Sequence, residues 1–148
     1  MIYQMQEGYL ALAGPWQDQS VNVLVPEETL AKGSNLVVSR DVLPKGAEFP
    51  DYLATQRKTF AKELPDFQSL ADAEATLAGQ PARFFEFTWS SQGGPLHQMV
   101  FVVPLGERIL NLTGTLPGQP DAAALEQMLA VLRTFQVGLA PAPAASEA

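Results

Sequence analysis

The 148-residue sequence predicts an α+β fold, an antiparallel sheet of about six or seven strands with two main helices packed against it. Short runs of alternating apolar and polar residues dominate the chain. The links between the later runs are too short for parallel crossovers, so those strands form a meander. Only two stretches, 49–64 and 122–135, repeat their apolar residues with a helical period.

Ile2–Gln6 and Tyr9–Ala13 read as short extended segments around Glu7-Gly8, and Gly14-Pro15 ends the pattern. Ser20–Val25 follows, with Val21, Val23 and Val25 on one side and Asn22 and Leu24 on the other. Pro26–Ser34 is a polar loop. Asn35–Val42 is a β-branched strand that sets Val37 and Ser39 against Leu36, Val38 and Arg40.

The helix over Phe49–Leu64 opens with Pro50, which suits a first turn, and stops at Pro65. Phe49, Leu53, Phe60 and Leu64 make one stripe, with Tyr52 at its edge. Gln56 falls near the middle of that stripe, where the pattern calls for a Leu. A buried amide left unpaired costs about 1–3 kcal/mol, so this glutamine needs a partner.

Phe67–Leu70 and Glu74–Leu77 are extended, followed by a turn at Ala78-Gly79-Gln80-Pro81. Arg83–Ser90 alternates Phe85, Phe87 and Trp89 with Phe84, Glu86 and Thr88. Leu96–Leu105 is apolar on both sides from Met99 to Val103, the mark of a central strand covered on both faces. Gly106-Glu107 turns the chain into Arg108–Thr115. Asp121 is an N-cap for a helix over Ala122–Phe135, and Gly138 stops it. The organisation is one domain over 1–138 and a disordered Ala/Pro-rich tail over 139–148. Two helices cannot cover both faces of so wide a sheet, so some apolar sheet surface is expected to stay open as a groove or interface.

Composition narrows the function classes. Lys plus Arg is 9 against 16 Asp plus Glu, a formal charge of -7, which disfavours a nucleic-acid partner. Cysteine is absent, which removes disulfides, zinc–cysteine sites and thiol nucleophiles. No signal peptide and no transmembrane run is visible, so a cytoplasmic protein is expected. His97 stands alone, without a second His or Cys for a metal site, and reads as a half-exposed strand residue. There is no G-x-S-x-G elbow and no phosphate-binding glycine loop. Neither catalysis nor a cofactor is expected.

An ordered set of residues carries a resemblance. Trp16-x-Asp18-x-Ser20-x-Asn22-x-Leu24 is followed by Leu36-Val37-Val38-Ser39-Arg40-Asp41, by Tyr52 and Gln56, by Leu64-Pro65-x-Phe67, and by Gly79-Gln80-Pro81-Ala82. This order resembles the DcrB-like domain family, over nearly the whole chain apart from the tail. The resemblance implies the α/β/α sandwich of the photosystem protein PsbP. Members of this length without a lipoprotein signal resemble the effector-associated (Eag) chaperones of bacterial type VI secretion. It implies a cup-shaped homodimer that holds apolar N-terminal transmembrane helices of a secreted effector and keeps it soluble for loading onto the spike, without inserting stably into a membrane.

Strand parity and helix-wheel position then point to Val21, Val23, Val38, Gln56 and Gln98 as client-binding residues, with His97 and Arg40 as substitutes. The other reading is a regulatory or structural PsbP-like domain that binds a folded protein.

Overall fold

In a computed structural model of the chain, residues 1–27 and 32–138 are described. The expected tail over 139–148 lies outside them, as does part of the loop over Pro26–Ser34. The strands are β1 (Ile2–Gln4), β2 (Tyr9–Ala11), β3 (Asn22–Leu24), β4 (Asn35–Val42), β5 (Gln68–Leu77), β6 (Gln80–Ser91), β7 (Gly94–Leu105) and β8 (Arg108–Pro117). The helices are α1 (Phe49–Glu63), between β4 and β5, and α2 (Ala122–Leu132), after β8.

Six strands form one antiparallel sheet in the order β3-β4-β8-β7-β6-β5. The meander β5–β8 was legible from its turns. Ala78 and Gly79 both have positive φ, 53° and 72°, so the β5–β6 link is a two-residue turn whose twist matches that of the strands. The two extended pieces expected over 67–77 are one strand, with its register broken between Ser69 and Ala71. β1 and β2 pair only with each other and stand outside the main sheet.

The layering is α/β/α. On one face α1 sets Tyr52 and Leu53 against Phe85, Phe87, Val100, Val102 and Ile109. On the other, Met128 and Leu132 of α2 pack with Met99, Phe101, Val103, Leu110, Leu112 and Leu116. β7 serves both cores, which explains its apolar residues on both sides.

Local chemistry fixes the ends of the helices. The Asp51 carboxylate accepts the Glu48 N–H at 2.9 Å, and Asp121 accepts the Ala124 N–H at 2.8 Å. α2 ends at Leu132, short of the predicted Phe135. Gly114 on β8 lets α2 approach closely: a Cβ there would lie 2.6 Å from Met128 side-chain atoms.

Candidate functional site

α1 leans toward one side of its sheet face. Arg57 of α1 pairs with Asp72 of β5 at 2.6 Å, and Arg83 of β6 holds the same carboxylate at 2.7 Å. The Arg57 guanidinium also sits 5.6 Å from the centre of the Phe85 ring. The hydrogen bond from Arg57 keeps the Asp72 carboxyl below its ordinary range. Phe60 stacks within 6.0 Å of Phe67, Phe85 and Phe87. All of these contacts reach toward β5 and β6.

These contacts leave the β4-β3 end of that face as a less covered floor, while Ile109 of β8 is fully buried beneath α1. Between α1 and this floor lies a groove of about 420 Å³. Gln56, Thr59 and Phe60 form its helix wall, and Ser39, Asn111 and Thr113 are on its floor. Register carries the floor outward: Thr113 is opposite Val37, and Val37 is opposite Val23 of the edge strand. Val23 is 59% exposed and Val21 55%.

Two polar networks cross this face. Trp89 donates its indole N–H to the Gln98 amide oxygen at 2.7 Å, and the Gln98 amide donates to Thr115 Oγ1 at 2.8 Å. Asn111 donates to the Tyr52 hydroxyl at 3.1 Å. Burial pushes the Tyr52 hydroxyl above its ordinary pKa.

The five sequence-predicted residues separate. Gln56 and Gln98 line the groove, and Val23 shares its floor face near the sheet edge. Val21 lies two residues before Val23, in the exposed run leading into β3. Val38 lies apart from the groove. It pairs with Asn22 and Leu112 on the opposite face and packs against the core beneath α2. A step of one residue along a strand changes the face, and parity alone does not say which face is open.

The two substitutes lie on that opposite face as well. Arg40 pairs with Leu110, and its guanidinium bonds Asn22 Oδ1 at 2.7 Å and the Ser20 carbonyl at 3.1 Å. His97 is buried, not half-exposed as its sequence position suggested, and its Nε2 lies 2.6 Å from Glu86 Oε2. Among the described residues no group of three or more His, Asp and Glu side chains is placed to hold a metal ion. No helix of the described residues is long and apolar enough to cross a membrane.

Sequence reasoning passed over Ser39, Asn111 and Thr113. The signal was present: Asn111, Thr113 and Thr115 alternate with Leu110, Leu112 and Gly114, a polar row on one side of an otherwise apolar strand.

The sequence of residues 7–134 matches the DcrB family model. The chain belongs to the DcrB family. This DcrB-family chain is 31% identical over 96 residues to Effector EagT6 of Pseudomonas aeruginosa PAO1, covering 64% of the chain and 67% of that protein. Its fold is similar to the crystal structure of PA94 from Pseudomonas aeruginosa, with a TM-score of 0.72 and 26% identity over 97% of this chain and 98% of that one. It is also similar to the PsbP protein of Synechocystis sp. PCC 6803, with a TM-score of 0.48 and 11% identity over 84% of this chain and 94% of that one.

Proposed function

We propose that this protein is a non-enzymatic, cytoplasmic chaperone or adaptor of type VI secretion. As a homodimer it binds apolar N-terminal transmembrane helices of an effector and keeps that effector soluble for loading onto the secretion spike. The half-covered sheet face carries the reading: the ion pair and the aromatic cluster of α1 lie over β5 and β6, its core contacts stop at β7 and β8, and the rest of that face runs out to an exposed, uncharged edge at Val23. The sequence relationship to EagT6 supplies the type VI context.

The physical basis is simple. A transmembrane helix satisfies its own backbone hydrogen bonds, so it asks a chaperone chiefly for apolar cover. Each Å² of apolar surface taken from water is worth about 25 cal/mol. The Gln56 amide has no side-chain hydrogen-bond partner among the described residues, so it is available to small polar positions on a client helix.

The polar floor at Ser39, Asn111 and Thr113 favours a second reading, in which the groove receives part of a folded protein. Co-expression decides between them. An effector fragment with N-terminal apolar helices should be recovered soluble with this protein and aggregate without it. Equal solubility in both cases sinks the chaperone reading, and recovery of a folded domain lacking such helices supports the second.

A further inference from the structure

The two ends of the groove carry charge of one sign. Tyr52, Gln56, Thr59 and Glu63 recur along α1 at steps of three and four residues, so one helix face walls the groove from end to end. Asp41 closes the end beside Tyr52. It stands opposite Ile109 in the ladder, on the face that α1 covers. Burial raises the Tyr52 hydroxyl pKa most, and the nearby Asp41 carboxylate raises it further. Glu63 closes the other end. It is the last residue of α1, where the carbonyls of the final turn add negative potential.

The cations of this part of the chain are placed elsewhere. Arg57 and Arg83 both hold Asp72, on the β5 side of α1. Arg40 borders the groove, but its guanidinium is held by Asn22 and the Ser20 carbonyl on the opposite face. Lys58 and Lys62 of α1 are exposed and belong to neither wall nor floor. Among the described residues, Asp41 and Glu63 are exposed and have no ion-pair partner, whereas Asp72 has two. An occupant that fills the groove takes water from both carboxylates, and an uncompensated charge resists that loss. A wholly uncharged helix has nothing to give them in return, whereas a helix with cations at its borders does.

We propose that the groove selects an apolar helix bordered by lysine or arginine, with Asp41 meeting the cation at one end and Glu63 the cation at the other. This rests on the chaperone reading above and narrows its client class. Tyr52 and Glu63 stand about 16 Å apart along the axis of α1, at about 1.5 Å per residue. A membrane span is about 30 Å long, so the basic residues at its borders lean inward along the helix, as long Lys and Arg side chains do readily. An exposed ion pair changes affinity by up to about fivefold. Two such pairs, set against the like-charge contacts of an acid-bordered helix, amount to about a tenfold preference.

Two synthetic peptides test this. Both contain the same leucine–alanine helix, one bordered by Lys-Lys and the other by Glu-Glu at each end. In fluorescence anisotropy at low salt, the wild-type chain should bind the lysine-bordered peptide about tenfold more tightly, and high salt should narrow the gap. Asp41→Asn/Glu63→Gln should lose most of that preference with its thermal unfolding unchanged. Glu7→Gln/Glu126→Gln removes the same charge from the β1–β2 link and from α2, and should keep the preference. Equal binding of the two peptides by wild type, a preference retained by Asp41→Asn/Glu63→Gln, or one lost equally in Glu7→Gln/Glu126→Gln overturns the proposal and leaves the chaperone reading standing. Failure to bind either peptide overturns both.

Discussion

The indole of Trp89 and the amide of Gln98 are joined by a 2.7 Å hydrogen bond, and the same amide continues to Thr115. One glutamine thus ties β6, β7 and β8 together on the groove side. Gln98→Leu leaves the half-buried Trp89 N–H without its acceptor, and such a loss costs about 1–3 kcal/mol. A lower denaturant midpoint together with a shifted Trp89 fluorescence is the expected result. An unchanged midpoint would show that water replaces the amide at no cost.

Gln56 should behave in the opposite way. Among the described residues its amide has no side-chain partner, and it is half-buried in the groove wall. Gln56→Leu is expected to change stability by less than about 0.5 kcal/mol, as for substitutions that break no internal contact. It should nevertheless weaken retention of an apolar-helix client in a pull-down. A large loss of stability with unchanged retention would make Gln56 a packing residue only.

The Asp72 clasp predicts an acid limb in stability. Its carboxyl is held below the ordinary value of 3.8 in the folded state, first by the Arg57 hydrogen bond. The folded state therefore binds this proton less readily than the unfolded chain. The contribution is fully present above about pH 4 and is lost as pH falls through the depressed folded value. Both side chains are partly exposed, so Asp72→Asn should cost no more than about 1 kcal/mol at neutral pH. The difference between wild type and variant should shrink in acid, as read from denaturation midpoints across pH.

Gly114 is the contact point of α2. A methyl group there meets Met128 at a distance that forces a shift. Gly114→Ala is expected to destabilise the fold by about 1–3 kcal/mol, the usual range for overpacking a well-filled core. Met128→Ala in the same chain should relieve part of that cost, a coupling that a double-mutant cycle measures.

Much of the architecture could be read from residue order. β4 has the predicted bounds, and α1 ends one residue before the predicted Leu64, because proline placement marks helix starts and stops sharply. The turns Ala78-Gly79 and Gly106-Glu107 fixed the meander. The detachment of the β1–β2 hairpin was not legible, since alternation describes a strand without saying which sheet it joins. The site was legible only in part for a related reason. Parity separated Val37 from Val38, but the open face depends on where α1 settles, and the Arg57–Asp72 pair decides that across a long stretch of chain. The predicted half-exposure of His97 failed because its partner Glu86 sits diagonally across on the neighbouring strand, and alternation within one strand does not show which side chain meets it there.

The order of the strands in the sheet also bears on how the groove comes into being. β5 to β8 are joined by tight turns between sequence neighbours, so their contacts close small loops. β4 meets β8 only after the chain has passed through α1 and the whole meander, and β3 reaches the sheet only through β4. Local pairings assemble fast and distant ones slowly. The floor around Val37 and Val23 is thus laid onto a finished template and is the first part to open again. Amide hydrogen exchange should be slowest in β7 and fastest in β3, with the floor at Val37 and Val23 loosening while the core beneath α1 stays shut.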